Sequence, residues 1–166
     1  MTPHIFYRGL RWQEYFASME SNRELLRRKC AEFRLPPEER ARWATSLVAY
    51  VLVFSEDWCQ DSISALPPLL AIANVASFEM RIMRRSEELM LQRVLTKNEW
   101  PSVPLFIFYD AEWNELGRFV EKAREFRRIK NDPLEAIWLK QMYDEIWWET
   151  ELAELAEIAS SHLSRA

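Results

Sequence analysis

Cys59 stands in the run Trp58-Cys59-Gln60-Asp61-Ser62, a few residues after the apolar stretch Leu47 to Phe54. A thiol at the start of a helix is suited to nucleophilic attack on sulfur, because the helix dipole and the free amides of the first turn favour the thiolate. Glu56, Asp57 and Asp61 crowd the same point with negative charge, which works against that form. A redox pair of the Cys-x-x-Cys kind would place a second thiol three residues on; Ser62 occupies that position. Cys59 is therefore either a nucleophile that needs an external thiol to release its product, or a packing residue.

The rest of the composition narrows the chemistry. The chain has 166 residues, enough for one domain with a sizeable core, and 49% of them are hydrophobic. Only two glycines are present and no GxGxxG or GxxxxGK[ST] occurs, so a glycine-rich phosphate loop is excluded. The net charge of −4 gives no general attraction to nucleic acid or anionic membrane. Arginines pair at Arg27-Arg28, Arg84-Arg85 and Arg127-Arg128, but acidic residues flank each pair, as on a solvated helix face. Two cysteines and two scattered histidines make neither a disulfide framework nor a metal site, and no cofactor is implied. The N-terminal run MTPHIFYRGLRWQEY has charges where a secretory signal needs an apolar core, and Leu47 to Phe54 is too short to span a bilayer. A cytoplasmic protein with reduced thiols is expected.

The elements that must position Cys59 read as follows. Leu10 to Phe33 is helical, with Ser21 and Glu24 at capping-box spacing opening a second helix that has Leu25, Leu26, Cys30 and Phe33 on its buried side. Pro37 opens a further short helix. LVAYVLVF has no polar alternation and predicts a central strand buried on both faces. From Cys59 to about Ala76 a helix is expected, interrupted at Pro67 and Pro68. FEMRIM predicts a strand, SEELMLQRVLT a helix capped by Ser86, and PLFIFYD and LGRFVE an antiparallel hairpin. From Pro133 onward the pattern is helical, with an apolar stripe through Trp138, Met142, Ile146, Trp147, Leu152, Leu155 and Ile158. That stripe needs covering, first by the chain's own sheet or helices, otherwise by a homodimer seam.

Three features in this order resemble the thioredoxin family: Trp58-Cys59-Gln60-Asp61-Ser62 after a buried strand, Pro67 eight residues beyond the cysteine, and Val103-Pro104 opening a late strand. The resemblance covers Val48 to Val120 and is similar to a bacterial subgroup with EDWC and DS. It implies an α/β fold of three layers, a mixed central sheet with helices on both faces. The whole chain, 1–166, is then a single domain, with a core over 47–130 and helical extensions over 1–46 and 131–166. The family pattern implies a cis peptide at Val103-Pro104 lying against the cysteine, with the backbone beside it free to pair with an extended substrate. The bland alternative is a trans proline opening an edge strand. The chain departs from the family at Ser62, at Val53, where a buried aspartate is usual, and at Glu121, near a usual glycine.

Each candidate keeps two readings. Ser62 donates to the thiolate or caps the helix; Asp61 relays protons or complements the dipole. Trp58 shields the sulfur or packs, and Gln60 completes the motif. Cys30 is a core cysteine, or a resolving thiol if the N-terminal helices reach the site. Arg84 and Arg85 form a basic rim for an anionic thiol such as glutathione, or are simply solvated. The function implied is monothiol thiol–disulfide oxidoreduction: Cys59 and Ser62 act on a disulfide or glutathione-mixed disulfide held by Trp58, Val103 and Pro104, and an external thiol resolves the adduct. The alternative is a non-catalytic interaction module that keeps the groove of the fold.

Overall fold

The run of β-branched and aromatic residues around position 50 forms β1 (Tyr50–Ser55), in a computed structural model that describes residues 1–97, 102–124 and 143–160. Ahead of it come α1 (Pro3–Phe6), α2 (Trp12–Ala17), α3 (Arg23–Glu32) and α4 (Pro37–Ala44). After it follow α5 (Gln60–Ala73), β2 (Glu79–Arg84), α6 (Leu89–Leu95), β3 (Leu105–Tyr109), β4 (Glu115–Val120) and α7 (Tyr143–Ala159). The sheet order is β2-β1-β3-β4, with β1 parallel to β2 and antiparallel to β3, and β3 antiparallel to β4.

β1 is internal and supplies both cores, as strand alternation requires. Val51 and Val53 join Phe106, Phe108 and Phe119 beneath α3, α4, α5 and α7. Leu52 and Phe54 join Leu105, Ile107 and Tyr109 on the other face, with Phe6 of α1 and Leu91 and Leu95 of α6. The molecule is thus a three-layer α/β structure. On the outer edge, Leu10 pairs with Ile82 of β2 through two 2.8 Å backbone bonds, so the N-terminal segment covers a strand edge left without a partner.

The stretch Leu10 to Phe33 forms α2 and α3, so the second helix expected to open near Ser21 is present and starts at Arg23. Three local expectations are corrected. The Ser21–Glu24 capping box does not form: Asn22 caps α3 in the left-handed region, φ 55°, and Glu24 pairs instead with Arg27. Ser86 does not cap α6, whose N-cap is Glu88; the Ser86 amide donates to Glu56.

The third correction is α5, which runs unbroken through Pro67 and Pro68. A helix-interior proline costs about 3 kcal/mol or more. Against that, Ile63, Leu66, Leu69 and Ile72 are all fully buried, at about 1.5–3 kcal/mol each. Burial wins. The missing amide of Pro68 leaves the Ser64 carbonyl without its helical donor, and Trp148 Nε1 of α7 donates to it at 2.9 Å. Trp138 and Met142 of the expected C-terminal stripe, and the pair Arg127-Arg128, lie outside the described residues. Trp147, Leu152, Leu155 and Ile158 are buried within the chain itself, against α5, α4 and β4.

Candidate functional site

β1 ends at Ser55, and the chain turns once before α5. The Cys59 amide closes the turn on the Glu56 carbonyl at 3.2 Å, and the Cys59 carbonyl accepts from Ile63 at 3.1 Å. Cys59 is therefore the N-cap residue of α5, with extended backbone at φ −83° and ψ 114°. Its thiol is half-buried and donates to the Val103 carbonyl at 3.5 Å. The next peptide, Val103-Pro104, is cis, and the Pro104 carbonyl accepts from the Glu121 amide at 2.7 Å. Glu121 itself sits in the left-handed region at φ 64°, conformational space that suits glycine. The structure thus brings Cys59, Val103 and Pro104 together. Pro104 leads into β3, a strand paired on both sides rather than an edge.

The other motif residues surround the thiol unequally. Trp58 is 56% exposed, with the Arg85 guanidinium 6.0 Å from its ring centroid. Gln60 is exposed and its amide donates to Asn22 at 3.4 Å. Asp61 pairs with Lys122 at 3.5 Å, which joins α5 to the end of β4. Ser62 is fully buried and its Oγ has no hydrogen-bond partner. It neither caps α5 nor bonds to the sulfur. Val53 is fully buried in β1 within the core that also holds Ile63, so an apolar side chain occupies the position where the family usually has a carboxylate.

The carboxylates ahead of Cys59 are engaged elsewhere. Asp57 Oδ2 accepts from the amides of Glu20 at 2.7 Å and Ser21 at 3.3 Å, while Asn22 Nδ2 donates to the Asp57 carbonyl at 2.8 Å. Glu56 accepts from the Ser86 amide at 2.6 Å. Arg84 lies 3.9 Å from Glu56 and 3.6 Å from Asp57, and donates to the carbonyl and hydroxyl of Ser18. Its guanidinium stands 5.0 Å from the Tyr15 ring centroid. Tyr15 bonds Ser55 at 3.0 Å, and burial pushes its hydroxyl up to about 12. Arg84 is therefore the centre of a partly buried network, its guanidinium turned toward two buried carboxylates and not outward as a solvent-facing rim.

Nothing local in the sequence marks Tyr15, Ser18 or Ser55 for this network, because the partners that join them to it lie forty or more positions away. Asn22 did carry a signal: asparagine is the non-glycine residue that best tolerates left-handed backbone, here at the head of a helix. Cys30 lies elsewhere. It lines a cavity of about 330 Å³ with Trp12, Pro67, Leu70 and Met80, against the second half of α5. Burial pushes its thiol up to about 11. Pro67 is roughly 12 Å along the helix from Cys59 at 1.5 Å per residue. Among the described residues no group of three His, Cys, Asp or Glu could hold a metal, and no helix is long and apolar enough to cross a membrane.

Residues 9–135 match the family described as Thioredoxin. Two solved structures are similar. One is a Pseudomonas aeruginosa protein of unknown function, at 20% identity and TM-score 0.79, covering 95% of this chain and 97% of that one. The other is an HIV epitope-scaffold, also at 20% identity, with TM-score 0.75 and coverage of 93% and 94%. At that identity the likeness carries the fold alone. No curated protein matches the chain.

Proposed function

The chain belongs to the thioredoxin family, and from that premise we propose that it is a monothiol thiol–disulfide oxidoreductase acting through Cys59. The observation that supports this best is the placement of the half-buried Cys59 thiol at the N-cap of α5, bonded to the Val103 carbonyl beside Pro104. A substrate backbone laid along Val103 would bring a disulfide to that sulfur. The Cys59 thiolate attacks one sulfur of R–S–S–R′, forming Cys59–S–S–R and releasing R′–S⁻. An external thiol then attacks the adduct, regenerates Cys59 and leaves as the mixed disulfide with R. The only other cysteine, Cys30, sits against the far half of α5 with its thiol held protonated by burial, which supports external rather than internal resolution. Protein disulfides and glutathione-type disulfides are the substrate class, and a reducing cytoplasm would supply the second thiol.

Incubation with oxidised glutathione followed by peptide mass mapping tests the reading. A glutathione adduct on Cys59, released by free glutathione, is expected; an unmodified Cys59 after hours at pH 7.5 would refute it. The alternative, a non-catalytic interaction module, is favoured by one feature, the exposure of Trp58 at 56%. It predicts partner binding that survives Cys59→Ala.

A further inference from the structure

We propose that Arg84 is a positioning residue for Cys59: it offsets part of the charge of the two buried carboxylates that precede the thiol, so that the negative charge of a thiolate can form beside them. This rests on the reading of Cys59 as a nucleophile. Glu56 and Asp57 are 3% and 6% exposed, three and two residues ahead of Cys59, and the turn that carries them closes on the Cys59 amide. Buried carboxylates that close would oppose a further negative charge. Arg84, from the end of β2, is the cation that meets both, at 3.9 and 3.6 Å.

The network also fixes where Arg84 points. Its second nitrogen is bonded twice to Ser18, and its plane lies over Tyr15 of α2. The N-terminal segment therefore holds the arginine from one side, while its amides at Glu20 and Ser21 and the Asn22 side chain hold Asp57 from the other. Other charged groups at the site among the described residues include Asp61 with Lys122, Glu121 beside Pro104 and Arg85 over Trp58. Tyr15, with its hydroxyl pushed up to about 12, stays neutral across the working range. The helices ahead of β1 thus belong to the site, through a cation that they aim.

The rate of Cys59 alkylation by iodoacetamide, followed from pH 5 to 10 by peptide mapping on the full chain, reads the charge directly and needs no disulfide substrate. An uncompensated buried charge within about 10 Å, at an effective dielectric near 20, changes such a titration by on the order of tenfold. Arg84→Met is expected to move the rate–pH curve upward and slow alkylation at pH 7 by about that factor. Arg84→Lys, which keeps the charge, should return most of it, and Arg84→Met with Asp57→Asn should lie between. Asp57→Asn alone, with Arg84 in place, should move the curve to lower pH even if Arg84→Met fails to fold. Equal curves for wild type and a folded Arg84→Met, equal losses for Met and Lys, or no downward movement in Asp57→Asn would each overturn the proposal. A charge-dependent curve without any glutathione adduct would instead sink the oxidoreductase reading and leave the role of Arg84 standing.

Discussion

Ser62, fully buried one helical turn beyond Cys59, carries a hydroxyl that finds no partner. A desolvated hydroxyl with no hydrogen bond costs about 1–3 kcal/mol, so Ser62→Ala should be more stable than wild type by about 1 kcal/mol in urea unfolding. The reading proposed for Cys59 gives that cost a use. The protonated thiol donates to the Val103 carbonyl, a bond the thiolate cannot make, and the Ser62 hydroxyl, one turn further along the same helix face, would be a donor for the thiolate. Ser62→Ala should therefore combine raised stability with alkylation of Cys59 slowed several-fold at pH 7; a faster rate would count against the donor role. Ser62→Cys places two thiols in the i, i+3 relation and should form an intramolecular disulfide, with a gain in reduction of a generic protein disulfide such as insulin. The gain is expected to be partial, since Val53 offers no carboxylate to take the second proton. At this scale Trp58, Cys59 and Pro104 were legible because their types and offsets are local. The inward aim of Arg84 was not, since its partners Ser18, Glu56 and Asp57 come from segments distant in sequence.

The elements were legible where hydrophobic pattern decides and less so where hydrogen-bond partners do. β1 announces itself as a strand buried on both faces, and β3 and β4 as a hairpin, because apolar periodicity survives any tertiary context. The Pro67-Pro68 pair reads as a break from local rules, yet α5 continues, because a residue 80 positions later supplies what Pro68 lacks. Trp148 is also held edge-on to Phe33 at 5.3 Å, with Lys29 over its ring, so α7 is anchored to α3 as well as α5. Trp148→Phe keeps a six-membered aromatic ring and removes the Nε1 donor together with the pyrrole part of the indole. It should cost about 1–3 kcal/mol in equilibrium unfolding, the penalty for orphaning the Ser64 carbonyl. A loss near zero would mean that the carbonyl finds water, and that α7 is not needed to carry α5 past its prolines. The Ser21–Glu24 spacing was misleading for a related reason. The Ser21 amide, which Glu24 would serve in a capping box, is taken by Asp57, whose carboxylate arrives from the site loop.

Across the whole molecule, α7 closes the helical layer over the sheet, and it does so with an acid in its buried face. Glu151 is fully buried; Oε2 accepts from Trp147 Nε1 at 2.8 Å, and Oε1 has no partner. Burial raises its carboxyl well above the ordinary carboxylate range, opposed by the Trp147 bond and reinforced by Glu154. The folded chain therefore holds a proton that the unfolded chain gives up above about pH 4.3. Stability from this group is fully present below that value and is lost as pH rises toward the folded one, at about 1.4 kcal/mol per pH unit. The direction is opposite to that of a salt-bridged carboxylate, whose contribution grows with pH. Glu151→Gln mimics the protonated acid, keeps an acceptor for Trp147 and has no proton to lose. Its stability should be nearly level from pH 5 to 7 where wild type declines, so the difference between the two, read by urea titration, should widen with pH in favour of the variant. Parallel curves would show that Glu151 is ionised in the folded chain and compensated in place. The decline should be visible first in α7, as faster amide exchange over Trp147 to Leu155 at pH 7 than at pH 5 after correction for intrinsic rates, because the penalty is relieved once that helix lifts and lets water reach the carboxylate.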